Sequence, residues 1–276
     1  MSTHRRPKVG LALGSGSARG FAHIGVLQAL HELHVPIDLV CGCSMGAIIG
    51  AVYCSGADMQ MFQKLCASVH ARDFMDFVIP RRGLLRGERF ESLIKLLTKE
   101  RTFEEMDIPF GCVACDIAAG KTKLFDTGKV YEAVRASMSI PGVFEPKWID
   151  GVMYVDGGVL DAVPADFARQ MGADVVIAVD VGIHKAEPAK VNDTLWSVFM
   201  RTLDLTGYEA CRHKFSDADI LISPSLGNTA EFSNEDVDRC VEIGYHTAMA
   251  HRDQLVAVSE LETLMEQKQE LQSAMS

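Results

Sequence analysis

Gly42-Cys43-Ser44-Met45-Gly46 sets a serine between two glycines in a Gly-x-Ser-x-Gly pattern. The run before it, Ile37-Asp38-Leu39-Val40-Cys41, reads as a buried strand, and Ala47 to Tyr53 after it reads as a helix rich in small residues. A serine on a sharp strand-to-helix turn stands clear of the backbone, where its hydroxyl can attack a carbonyl. Glycines on either side permit a turn that tight without a Cβ clash. The helix N-terminus behind the serine turns N–H groups and the positive end of its dipole toward any oxyanion that forms. A plain tight turn with an incidental serine uses the same five residues; the strand before and the helix after favour the nucleophile.

Gly14-Ser15-Gly16-Ser17-Ala18-Arg19-Gly20 follows a first apolar run, Val9 to Leu13, and precedes a helical pattern. Three chemistries compete for it. A dinucleotide site needs Gly-x-Gly-x-x-Gly and an acidic residue at the end of the second strand. Here the third glycine comes one place late, and the second strand ends at the serine instead. A phosphate loop closes with Gly-Lys-Ser/Thr, which is absent. The third chemistry, backbone N–H groups facing Ser44 as an oxyanion hole, fits best.

A serine nucleophile needs a base. Of nine histidines, His246 and His251 come late enough in the chain for a Ser–Asp–His order, and His23 lies just past the glycine-rich loop. Each reads more naturally as a structural or surface residue. Asp156-Gly157-Gly158 ends a short apolar run, Val152 to Val155. An acid at a strand terminus backed by glycines suits a site, but Asp-Gly is also a common turn signal. Taken alone, Asp156 reads as a turn residue.

Eight cysteines invite a metal reading, above all Cys112-x-x-Cys115 and Cys41-x-Cys43. Both pairs lie in apolar strand-like runs, where cysteine behaves as a small hydrophobe. The odd separation of Cys112 and Cys115 turns them to opposite faces of a strand. We expect no metal, no cofactor and, in a reducing cytosol, no disulfide. The net charge of −10 without a basic run argues against a nucleic-acid partner and against electrostatic adsorption to anionic lipid. No window reaches the 18 apolar residues of a membrane span. The stretch Val9 to Gly14 is too short and too glycine-rich for a signal sequence. The expected location is cytoplasmic, peripheral at the inner membrane surface.

The elements that must carry these residues alternate between short apolar runs and helical patterns. Strands are expected at Val9–Leu13, Asp38–Gly42, Phe110–Asp116, Lys123–Phe125, Val152–Val155, Val175–Asp180 and Ile220–Ser223. Helices are expected at Arg19–Leu33, Ser44–Cys54, Asp58–Val69, Glu88–Lys99, Val130–Ser137, Ala165–Met171, Leu195–Arg212 and Asn234–Glu270. Strands alternating with helices predict an α/β protein with a largely parallel sheet covered on both faces. With 48% apolar residues and no linker-like segment, residues 1–276 read as one domain. Its motif-bearing core spans about 8–180, and 181–276 packs on it or extends it. Leu255, Val258, Leu261, Leu264 and Met265 form a last amphipathic stripe that packs on the core or meets a second surface. Phe74 to Leu85, apolar but broken by Pro80 and Gly83, suits a mobile wall for an acyl chain. Thirteen methionines suit an adaptable lipid surface.

Three motifs in order, Gly14 to Gly20, Gly42 to Gly46 and Asp156 to Gly158, stand beside Ala22-His23-Ile24-Gly25-Val26-Leu27 and Ser139-Ile140-Pro141-Gly142-Val143-Phe144-Glu145-Pro146. Together they resemble the patatin-like phospholipase family, and closely its compact bacterial members, from about Lys8 to about Asp180. The resemblance implies a three-layer αβα fold and a Ser–Asp dyad without histidine, with Ser44 as nucleophile and Asp156 as general base. It implies an oxyanion hole in the loop, with Gly14, Ser15, Gly16 and Ser17 as candidate backbone donors. Arg19, Gly20, Gly42, Gly46, Gly157 and Gly158 are its supporting positions, and Arg19 is expected to tie the loop down. Many members carry glycine where this chain has Ser15 and Ser17. The amides survive that exchange, but a positive φ there would be strained. The implied activity is hydrolysis of fatty acyl esters of phospholipids or lysophospholipids through an acyl-enzyme. The implied partners are the lipid ester and a transient membrane surface. Acyl transfer through the same dyad, a non-catalytic lipid-sensing role and a Ser–His–Asp hydrolase are the alternatives.

Overall fold

The computed structural model describes residues 6–68, 76, 83–182, 193–211, 216–226 and 234–258. In chain order, β1 (Val9–Leu13) leads through a 3-10 turn (Ser17–Phe21) into α1 (Ala22–Glu32). Then come β2 (Leu39–Cys43), α2 (Met45–Cys54), α3 (Met59–Ser68), β3 (Gly83–Leu85) and α4 (Glu88–Leu97). The middle of the chain forms β4 (Phe110–Asp116), β5 (Lys121–Phe125), α5 (Val130–Ser137), β6 (Gly142–Phe144), β7 (Lys147–Ile149) and β8 (Val152–Asp156). It closes with α6 (Ala165–Gln170), β9 (Val175–Val179), α7 (Leu195–Cys211), β10 (Ile220–Ile222) and α8 (Asn234–Ala250).

The eight-stranded sheet runs in the order β10-β9-β1-β2-β4, all parallel, with β8, β7 and β5 added antiparallel at the β4 end. A parallel sheet needs both faces covered, and successive side chains alternate between them. Leu11, Leu13, Val40 and Ile177 point into one apolar layer with Ile24, Ile49, Val134 and Val241 from α1, α2, α5 and α8. Ala12, Cys41, Val113 and Ala178 point into the other, with Ala165 and Ala168 of α6. The three-layer αβα expectation holds.

Differences from the sequence reading are local. The expected helix from Arg19 starts as a 3-10 turn, and its α-helical part begins at Ala22. Three short strands went unread. β3 and β6 pair with each other outside the main sheet, and β7 forms a hairpin with β8; three residues are too few to show a period. Of the Phe74 to Leu85 segment, Phe74, Met75 and residues 77–82 lie outside the described residues, and Gly83–Leu85 form β3. In the C-terminal stripe, Leu255 is fully buried and Val258 packs on the core, whereas Leu261, Leu264 and Met265 lie outside the described residues. Helix α8 lies close against α1: a Cβ on Gly244 would fall 2.1 Å from the Ala22 carbonyl oxygen.

One pairing detail positions the site. β2 occupies one edge of β4 up to the pair Cys43↔Val113. β8 takes over at the next residue, Asp156↔Ala114, running the other way. β5 pairs with β4 across both stretches, Cys112↔Phe125 through Asp116↔Lys121, so it holds the opposite edge. β2 and β8 therefore share one edge of β4 and meet head to head at their C-terminal ends.

Candidate active site

Ser44 is the first residue past β2, at φ 54° and ψ −119°, and α2 begins at Met45. A serine in that conformation is strained by roughly 1–3 kcal/mol and persists only where its surroundings hold it. The glycines on either side let α2 fold back onto the sheet. A Cβ on Gly42 would fall 2.6 Å from Ala47 Cα, and one on Gly46 only 2.1 Å from the Leu13 carbonyl oxygen. The Ser44 carbonyl accepts from the amides of Ala47 and Ile48 at 2.9 and 3.1 Å and starts the helix. The Ser44 N–H donates to Ser137 Oγ at 2.9 Å.

Asp156 is the last residue of β8. Its carboxylate oxygen Oδ2 accepts from Ser44 Oγ at 2.6 Å. Oδ1 accepts from the Gly158 N–H at 2.8 Å and, weakly, from the Cys43 thiol at 3.9 Å. Its own N–H donates to the Ser139 carbonyl at 2.9 Å. Ser44 and Asp156 are each only 5% exposed. Burial pushes the Asp156 carboxyl up to about 6, against the pull of the Ser44, Gly158 and Cys43 hydrogen bonds. It is thus a carboxylate at neutral pH, yet a stronger base than a free aspartate at about 3.9. Helix α7 crosses the turn after Asp156, where a Cβ on Gly207 would fall 2.5 Å from the Gly158 carbonyl oxygen.

The glycine-rich loop lies beside both residues. Gly20 abuts Met45, and Ser15 Oγ lies 2.8 Å from the position a Gly158 Cβ would take. Its four candidate donors divide into two pairs. The Gly14 N–H donates to the Val179 carbonyl at 2.9 Å, and the Ser15 N–H to the Ala162 carbonyl at 2.7 Å. Both are committed to holding the loop. The amides of Gly16 and Ser17 have no acceptor among the described residues. They begin the 3-10 turn, where the first N–H groups lack an internal partner. Ser17 adopts φ 50°, in the left-handed region that glycine enters freely and a side chain disfavours. Arg19 is 8% exposed and donates from Nε to the Gly16 carbonyl at 3.3 Å. Gly157 packs on β4: a Cβ there would fall 2.5 Å from the Val113 carbonyl oxygen.

No hydrogen bond joins a described histidine to Ser44. His246 is exposed and faces Glu242 at 3.9 Å. His251 donates from Nδ1 to the Thr247 carbonyl at 3.0 Å. His23 is fully buried and donates from Nε2 to the Gly14 carbonyl at 2.7 Å. Burial pulls its pKa down to about 4, so it braces the loop as a neutral ring. Sequence reasoning gave no role in the site to Ser137, Ser139 or Cys43, which the structure places against Ser44 and Asp156. In sequence Ser137 is only the last residue of the helix expected at Val130–Ser137, and Ser139 only the first of the Ser139 to Pro146 stretch, so neither signals a contact with the site.

Fold and site together define an αβα protein in which a serine on a strand-to-helix turn and a strand-end aspartate meet beside a glycine-rich loop. The patatin-like phospholipase family model matches residues 11–169, and the chain belongs to that family. It is 39% identical over 187 residues to an uncharacterized NTE family protein of Mycobacterium bovis, covering 67% of this chain and 52% of that one. It is 36% identical over 204 residues to the Aspergillus fumigatus protein named lysophospholipase nte1, covering 70% of this chain and 13% of that one. The chain thus spans about half the length of the mycobacterial relative and a small part of the fungal one. VipD of Legionella pneumophila shares the fold, with a TM-score of 0.65 at 15% identity over 91% of this chain and 67% of its own.

Proposed function

We propose that this chain is a lipid acyl hydrolase that cleaves fatty acyl esters of phospholipids or lysophospholipids, with Ser44 as nucleophile and Asp156 as general base. The observation that carries this reading is the 2.6 Å hydrogen bond from Ser44 Oγ to a buried carboxylate whose pKa stands near 6. Family membership and a relative named lysophospholipase support the substrate class.

Asp156 Oδ2 takes the hydroxyl proton as Ser44 Oγ attacks the ester carbonyl, so no free alkoxide forms. The amides of Gly16 and Ser17 are the donors left for the tetrahedral oxyanion, and the N-terminus of α2 adds its positive end. Collapse breaks the ester C–O bond. Asp156 returns the proton to the departing alcohol, and the acyl group remains on Ser44. Water then gives its proton to Asp156 and attacks the acyl carbon, and the proton passes back to Ser44 Oγ as the fatty acid leaves. Two carboxylate contacts, from the Gly158 amide and the Cys43 thiol, hold Oδ1 so that Oδ2 faces the serine.

Incubation with a fluorophosphonate probe, followed by adduct mapping and phospholipid and lysophospholipid hydrolysis assays, tests this. Wild type is expected to be labelled at Ser44 and to release fatty acid. Ser44→Ala and Asp156→Asn are expected to do neither while staying folded. Full activity in both variants would sink the dyad.

A further inference from the structure

We propose that Ser137 is a positioning residue for the nucleophile: its hydroxyl holds the main-chain N–H of Ser44 and so fixes the elbow from which Ser44 reaches Asp156. The inference rests on the dyad reading above. Ser137 is the last residue of α5 and is fully buried. Its Oγ accepts from the Ser44 N–H at 2.9 Å. The sheet cannot supply that acceptor, because β1 pairs with β2 only as far as Leu13↔Gly42, and β4 only as far as Cys43↔Val113. A buried amide without a partner is strongly disfavoured. The Ser137 hydroxyl is thus what allows Ser44 to leave the strand at positive φ with its N–H satisfied.

The same short segment also grips the base. Two residues on, the Ser139 carbonyl accepts the Asp156 N–H at 2.9 Å. Ser139 is itself locked: its Oγ accepts from Arg135 Nη1 at 2.6 Å and donates to the Arg135 carbonyl at 2.8 Å. Arg135 is 2% exposed and donates on to the carbonyls of Gly87 and Glu145 at 3.2 and 3.0 Å. One rigid platform at the end of α5 therefore sets the spacing between the two backbones that carry the dyad. This gives a role to the Ser139 to Pro146 stretch, which carries no reactive group of its own in the dyad.

The test compares wild type with Ser137→Ala and Ser137→Cys, a near-isosteric side chain with a weak acceptor. The readouts are turnover of a soluble short-chain ester, the rate of fluorophosphonate labelling at Ser44, and melting temperature. A misplaced nucleophile loses on the order of 10- to 100-fold in rate. Ser137→Ala is expected to lose that much in kcat and in labelling rate, with KM within about twofold. Ser137→Cys is expected to recover part of it. The Ser44 hydrogen bond holds the Asp156 carboxyl down, so loosening it also moves the acid limb of the rate profile to higher pH. Labelling of Ser137→Ala at the wild-type rate, or loss of folding in both variants, would overturn the positioning role while leaving the dyad intact. Wild type unlabelled at Ser44 would overturn the dyad reading and this inference with it.

Discussion

Ser44 and Asp156 stand 112 residues apart in sequence and 2.6 Å apart at their oxygens. They meet because β2, which ends one residue before Ser44, and β8, which ends at Asp156, run toward each other along one edge of β4, reaching Val113 and Ala114. Neither strand pairs with the other. The separation between Ser44 and Asp156 is set by a third strand and by the end of α5, both built from buried backbone. The geometry therefore depends on supports that are buried away from solvent.

The first expectation concerns pH. Asp156 must be a carboxylate to accept the serine proton. With its pKa near 6, kcat/KM should rise through about pH 6 and fall away below it. An acid limb near pH 4, the range of an unperturbed aspartate, would contradict the burial argument. A rate profile from pH 4 to 9 on a soluble ester measures it.

Stability should respond to the same group with the opposite sign. The Asp156 pKa is raised from 3.8 to about 6, so between those values the folded state binds more protons than the unfolded one. Stability then falls as pH rises through that window, by about 3 kcal/mol at most. His23, lowered from 6.5 to about 4, acts in reverse over nearly the same window and masks this in wild type. Asp156→Asn removes the first contribution only. Its stability relative to wild type should climb between about pH 4 and 6 and level off above, as urea unfolding across that range would show.

Gly46→Ala should be among the most damaging single methyl additions. The new Cβ would meet the Leu13 carbonyl oxygen at 2.1 Å, a backbone atom of β1 that has no room to move. We expect a loss of roughly 3 kcal/mol or more and a displaced elbow. Calorimetry together with fluorophosphonate labelling would register both; a wild-type melting temperature would contradict the close packing of α2 on the sheet.

Ser17→Gly should move stability the other way. Ser17 sits at φ 50°, a conformation that disfavours a side chain and suits glycine. The exchange keeps the amide proposed for the oxyanion. Stability should rise by up to about 1 kcal/mol, with kcat within about threefold of wild type. A large fall in kcat would assign the Ser17 side chain, rather than its amide, to the site.

The sequence by itself determined what is local. Alternating and continuous apolar runs specified the main strands, because strand and helix periods are written into neighbouring residues. The Gly-x-Ser-x-Gly turn was legible for the same reason, since the glycines that let α2 pack so closely stand beside the serine in the chain. Asp156-Gly157-Gly158 was not: alone it reads as a turn, and only the resemblance to a family singled it out. The tertiary structure decided that β8 ends against β2 on a shared edge of β4. It decided that the Gly14 and Ser15 amides are committed to Val179 and Ala162, while those of Gly16 and Ser17 have no acceptor among the described residues. It also decided that Ser137, an ordinary helix-end serine in sequence, accepts the main-chain N–H of Ser44. Burial and hydrogen-bond partnership join residues that are distant in the chain, and no local period records them.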